Sequence, residues 1–292
     1  YNPASFAISQ NYWGAVSFEK PFSSFKNQTH SMISVALPTK DYGVFAITLN
    51  NFWSESPAFT STGGPDIIGL ANDKPELFSP THIQLKGSYA NMLSENMAFG
   101  ISLSLLNTSY SNVQVGQEQG SGEAFTVLVD AGFLMNNLFV NSTYTKPTKL
   151  KNNFIQGEEN LGFSVGFALL NFGPKIFFID KEQEDYPPSL ILLGFSYWAL
   201  STDFISTKIA FDLENRIYDS GGFDYIHIGS DLRFYKLFSI RAGYVFDNVN
   251  SELSYFTVGG GLITKYGSFN VARYKKYITP TWSFDIRINF GY

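Results

Sequence analysis

The sequence predicts an all-β chain that closes into a transmembrane antiparallel β-barrel of about 14 strands, a single domain over 1–292. Three observations carry this. Only 15% of the residues are charged, while 44% are hydrophobic and 17% aromatic; a soluble domain carries about 25% charge. The chain ends on ten residues, 283–292, in which every even position is apolar (Phe284, Ile286, Ile288, Phe290, Tyr292) and every odd one polar or Gly. That is the period of a strand, and ten residues is about the length that crosses a bilayer at a tilt of about 45°. Finally, no window of about 18–20 residues is free of polar interruption, which excludes a helical span.

The same alternation recurs upstream. Ile101, Leu103 and Leu105 flank Ser102 and Ser104. Leu161, Phe163, Val165, Phe167 and Leu169 alternate with Gly, Ser and Ala. Ile209, Phe211 and Leu213 flank Ala210 and Asp212, and Ile226, Ile228, Leu232 and Phe234 oppose His227, Asp231 and Arg233. A basic residue on a lipid face costs about 2–4 kcal/mol near the midplane, so charge belongs on the lumen side. Taken in order, strands are expected at about 10–19, 30–37, 43–50, 82–92, 96–108, 123–134, 160–178, 189–199, 205–215, 223–235, 238–247, 254–266, 268–276 and 281–292. An even count puts both termini on one side, expected to be periplasmic in a bacterial outer membrane. Connections then alternate between short (38–42, 93–95, 236–237, Gly267) and long (51–81, 109–122, 179–188, 216–222, 248–253). Segment 135–159 breaks the rhythm: it falls on the short side, is long, and contains Leu138-Phe139-Val140. Outer-membrane export needs a leader, expected to lie outside this sequence. Residues 1–9 are expected to tuck into the lumen.

Composition removes several functions. An isoelectric point near 5.2 argues against a nucleic-acid partner. With no Cys there is no disulfide framework or thiolate metal site. His30, His82 and His227 lack ligand spacing, and no Ser sits in a nucleophile-elbow pattern. No enzyme activity, metal or cofactor is therefore expected. Val258-Gly259-Gly260-Gly261-Leu262 lies in a strand. It is read as a bulge or as room for something packed in the lumen.

Two loops attract attention. Segment 51–81 holds Trp53, Phe59, Ile67, Ile68 and Phe78, with four prolines. A loop of that length and apolarity is uncommon unless functional; it would cap the lumen or meet a partner. Segment 179–188 sets Asp180, Glu182, Glu184 and Asp185 against Lys181, then Tyr186, a docking candidate for a basic partner.

Asn2-Pro3-Ala4 resembles the element ahead of the first strand in FadL-like barrels and their PorV relatives. Leu170-Asn171-Phe172-Gly173-Pro174-Lys175 is similar to the Asn-Leu-Gly-Pro-Lys element of the PorV family of the type IX secretion system. The acidic loop, Pro187-Pro188, Leu193-Gly194-Phe195 and Ile240-Arg241-Ala242-Gly243-Tyr244 follow in that family's order. The long 135–159 segment departs from it and leaves open a paralogue such as PorQ or a FadL-like transporter. The resemblance implies a 14-stranded barrel that binds a large outer-membrane translocon subunit and membrane lipid. Such a barrel carries cargo proteins, held through their C-terminal domains, to the surface attachment complex. The docking surface would then be the two loops. The competing reading is a FadL-like transporter of hydrophobic small molecules. It requires an apolar lumen pocket, against which the mostly small or polar inward positions argue.

Overall fold

Period-2 alternation demands a sheet with two unlike faces, and closing that sheet gives each face its own solvent. The computed structural model describes residues 2–9, 11–21, 28–54, 80–109, 122–138, 162–177, 184–202, 204–218, 222–275 and 280–290. Its strands are β1 (Tyr12–Lys20), β2 (Gln28–Thr39), β3 (Gly43–Ser54), β4 (Thr81–Ser94), β5 (Met97–Ser109), β6 (Glu123–Leu138) and β7 (Phe163–Phe172). They continue as β8 (Leu190–Ser201), β9 (Ile205–Arg216), β10 (Tyr225–Phe234), β11 (Phe238–Asp247), β12 (Tyr255–Thr264), β13 (Gly267–Tyr274) and β14 (Thr281–Phe290). Each pairs antiparallel with its sequence neighbours, and β1 pairs with β14 from Tyr12–Phe290 to Lys20–Trp282, closing a 14-stranded barrel.

The two faces separate as the alternation requires. On β5, Ile101 and Leu103 are 52% and 55% exposed while Ser102 and Ser104, alternating with them, are 5% and 0%. The pattern holds on β14, where Phe284, Ile286 and Ile288 point out. An apolar face this continuous far exceeds the patch a soluble monomer tolerates. It is the lipid-facing band of a membrane barrel. Inside, small residues leave room for the N-terminal segment, and some of the hydroxyls pair with one another. Ser34 pairs with Thr48 and Ser88 with Ser102, each at 2.8 Å across a strand pair.

Each strand overlaps its expected range, with four differences. Residues 51–54 extend β3 rather than opening a loop. β6 runs on to Leu138, so that residue ends a strand instead of starting one; Phe139 and Val140 lie outside the described residues. The β12–β13 turn is Lys265-Tyr266, with Gly267 already paired to Thr264. β7 stops at Phe172, well short of 178. There Asn171 takes φ 54°, and Pro174 follows without an N–H to offer the ladder.

Candidate functional site

The lumen is entered by the chain itself. Asn2 caps a short 3-10 helix, Pro3–Ile8: its Oδ1 accepts from the Ala4 N–H at 2.9 Å. Asn suits a cap because its side chain reaches the orphan donors, and Pro suits the first helical position because its missing N–H would have no partner. Ala4 is fully buried. The Asn-Pro-Ala motif is thus a cap, a preset φ and a residue small enough to fit. The remaining Asn2 amide protons go to the barrel. Nδ2 donates to the Phe133 carbonyl at 3.0 Å and the Phe167 carbonyl at 2.9 Å, and these two residues face each other across β6 and β7. The segment lies against β3, β4, β5 and β6, toward the rim of the short turns. Phe6 stacks on Trp13, and the Trp13 indole donates to Ser9 Oγ at 2.7 Å.

Glycines of β5 and β6 make the space. A Cβ on Gly100 would collide with the Pro3 backbone, and one on Gly132 with the Asn2 side chain. The Gly259-Gly260-Gly261 run, read from sequence as room for a lumen filler, does not do this. Gly259 is crowded by Val271 and Ala272, Gly260 by the Ser239 carbonyl and Gly261 by the Asn270 side chain. Its glycines serve close sheet packing, because the segment docks on the opposite wall.

The β6–β7 seam is irregular. The register shifts between Val129 and Ala131, where Leu170 and Asn171 form a bulge, and again between Met135 and Leu138. Asp130, 1% exposed, fills the first gap. Its Oδ1 accepts the Asn171 N–H at 2.7 Å and its Oδ2 holds Lys86 Nζ at 2.5 Å. The Asn171 carbonyl accepts from Ser189 Oγ at 2.9 Å. Gly173 passes so close to the Val127 carbonyl and Leu128 that a Cβ would clash. Asn171, Phe172, Gly173 and Pro174 therefore end the β7 ladder at a bulge while keeping the chain close against β6. Beyond it, an isolated bridge pairs Ile176 with Asp185. Lys175 pairs with Glu184 at 3.2 Å, lies 4.8 Å over the Tyr186 ring, and Tyr186 stacks on Tyr218 at 3.7 Å. The hydrogen bond that Lys175 donates to the Glu184 carboxylate holds the ammonium above its ordinary pKa.

Above the N-terminal segment, toward the rim of the long connections, lies a cavity of about 240 Å³. Phe52, Leu106, Leu128 and Pro188 supply its apolar lining, from β3, β5, β6 and the stretch before β8. His30, Asn50, His82, Gln84 and Asn171 supply the polar one. Asn50 donates to Gln84 at 2.9 Å, and His82 Nδ1 lies 3.0 Å from Thr108 Oγ1. These polar side chains are amides and imidazoles, with no carboxylate or ammonium among them. The site suits a small apolar body with a hydrogen-bonding substituent. An apolar cavity of about 150 Å³ already takes benzene.

The opposite wall is charged. Asp231 Oδ2 accepts from Arg233 at 3.0 Å and Arg241 at 3.4 Å; Arg241 reaches Asn270 at 2.9 Å, and Asn270 reaches Asp285 at 2.8 Å. Arg287 lies 4.6 Å over Trp13 and Arg233 5.0 Å over Trp198. Pairing side by side offsets part of the cost of charges that water reaches only through the lumen.

Of the sequence-derived docking candidates, Phe59, Ile67, Phe78, Asp180 and Glu182 lie outside the described residues. Trp53 is a strand residue on the outer face, paired with Thr29 and Thr81. Glu184, Asp185 and Tyr186 sit together on the segment after β7. The inward positions are mostly small or polar, but this does not weigh against an apolar pocket as expected: Phe52, Leu106 and Leu128 also point inward and line one cavity. They were hidden because each lies on a different strand, and the register that joins them is not visible locally. Among the described residues no group of His, Asp or Glu is arranged to hold a metal.

No family model and no curated protein matches the sequence. Solved structures do match the fold. The toluene transporter TbuX of Ralstonia pickettii is 10% identical, with 99% of this chain and 92% of that one covered at a TM-score of 0.53. The ΔS2S3 mutant of the TodX monoaromatic hydrocarbon channel is 12% identical, with 99% and 93% covered at 0.58. The Pseudomonas putida toluene transporter TodX is 12% identical, with 99% and 91% covered at 0.50. The chain therefore has the closed barrel fold shared by FadL-type outer-membrane transporters.

Proposed function

We propose that the protein is an outer-membrane channel for small, mainly apolar molecules that carry an uncharged polar group. The observation that carries this reading is the lumen cavity. Phe52, Leu106 and Leu128 give it an apolar body, and Asn50, Gln84 and His82 give it hydrogen-bonding partners, above a chain segment that occupies the short-turn end. The barrels it resembles in fold are named for toluene and monoaromatic hydrocarbons. A ligand would enter from the rim of the long connections and rest in the cavity. It would leave only when the Pro3–Ile8 segment or the wall beside it moves. The β6–β7 seam, bridged by Asn2 and by Asp130, is the part of that wall with the fewest ladder bonds. Leu106→Trp fills the cavity without adding charge. Binding of phenol or toluene to the detergent-solubilised barrel, followed by saturation-transfer NMR, is expected for the parent and lost in this variant. Equal signals from both would sink the cavity as the binding site.

A second reading, the secretion partner, is favoured by the Leu170–Lys175 motif and by the ordered rim it creates. Lys175, Glu184, Tyr186 and Tyr218 brace one another into a firm surface, which a docking barrel needs. Affinity isolation from outer membranes distinguishes the two. Recovery with a very large barrel subunit or with cargo sharing a C-terminal domain supports secretion. A barrel recovered alone, with an apolar molecule bound, supports the channel.

A further inference from the structure

On the outer face, the strand ends at the rim of the long connections form one continuous row. It runs Thr29–Trp53–Thr81–Ser109–Glu123 across β2 to β6. On the other side of the β1–β2 pair it continues as Lys20–Trp282–Arg273 across β1, β14 and β13. The first stretch is neutral and ends on a carboxylate. The second sets two exposed cations on either side of a half-exposed indole, with Lys275 one step beyond β13. Arg273 lies 5.4 Å over the Trp282 ring. No described carboxylate forms an ion pair with Lys20, Arg273 or Lys275, since Glu19 and Asp285 point into the lumen.

The row's height is set by what lies beneath it. Below Trp282 the outward positions are Phe284 with Val271 and Phe18, then Ile286 with Phe269 and Val16, then Ile288, then Phe290. From 282 to 290 the strand rises about 27 Å, or about 20 Å along the membrane normal at a tilt of about 40°. The cations therefore stand at one boundary of the apolar band, where lipid headgroups lie and where Trp is the preferred anchor. Neighbouring strands are about 4.8 Å apart, so the backbones of Lys20 and Arg273 are roughly 10 Å apart. Both long side chains can close on one phosphoryl group, with the indole between them to meet the ring that bears it.

We propose that Lys20, Arg273 and Trp282 form a site for a phosphorylated glycolipid headgroup of the outer leaflet. The cations take the phosphate and the indole takes the sugar. The assignment to that leaflet rests on the long connections facing outward. It does not depend on what passes through the lumen.

The test is native mass spectrometry of the full chain in mild detergent, titrated with bisphosphorylated lipid A. The comparison ligands are the same lipid after dephosphorylation, and inorganic phosphate. The parent is expected to retain lipid A, and Lys20→Ser/Arg273→Ser to bind it about 25-fold more weakly, about five-fold for each cation. Trp282→Leu keeps the cations and separates the contribution of the indole. Heat-modifiable electrophoretic mobility verifies that each variant is a closed barrel. Unchanged affinity in the double variant, or equal binding of the dephosphorylated lipid, overturns the proposal. Inorganic phosphate bound as tightly as lipid A overturns the lipid assignment in favour of a free-anion site.

Discussion

Asp130→Ala is expected to be the most damaging single change described, costing about 3–5 kcal/mol of barrel stability. The carboxylate performs two tasks at 1% exposure. It neutralises Lys86 at 2.5 Å, and it replaces a ladder bond by accepting the Asn171 N–H at 2.7 Å. Its removal leaves a cation and a backbone donor without their partners on a wall that water reaches poorly. Lys86→Met leaves the opposite charge unpaired and is expected to cost a similar amount. Lys86→Met/Asp130→Leu removes both charges and should cost clearly less than the two single changes summed. Urea unfolding in detergent micelles, followed by tryptophan fluorescence, gives all three values. A loss below about 1 kcal/mol for Asp130→Ala would place the pair in the class of screened surface ion pairs.

The second large effect concerns the N-terminal segment. Gly100→Val and Gly132→Val put methyl groups where the Pro3 backbone and the Asn2 side chain now lie. Overpacking costs about 1–3 kcal/mol. Here the strain has an outlet, because the segment can leave. At a tenfold change per 1.4 kcal/mol, the expelled state gains about 5- to 150-fold in population. Both variants are expected to conduct more in planar bilayers than the parent, and to match a variant lacking residues 2–8. Unchanged conductance with the segment still protected from added protease would show that it does not obstruct the lumen.

Reading the sequence located the strands well because the membrane imposes one repeated condition on all of them. An outward residue must be apolar, so Ile101, Leu103, Ile226 and Ile288 reveal the period of their strands without reference to any other part of the chain. Inward positions obey no such rule. They hold whatever the lumen contains, and that depends on the residues opposite. Leu128 and Leu106 therefore read as exceptions to a polar face, although together they line a cavity. The three glycines of β12 read as space, yet their space is taken by Asn270, Ala272 and the Ser239 carbonyl. The Leu170–Lys175 motif was recognisable as a string. Its physical work, a bulge filled by Asp130 forty residues earlier, was not.

Period, face, strand number and the membrane setting were thus determined by the sequence alone, because each follows from local alternation and from the high cost of charge in lipid. Only the tertiary structure decided which residues of distant segments meet. Asn2 reaches Phe133 and Phe167, Lys86 reaches Asp130, and Trp282 stands between Lys20 and Arg273 across the closure of the barrel. Those meetings depend on register and on β1 finding β14. Both are set by pairing between distant segments, and neither leaves a mark on the period of any single strand.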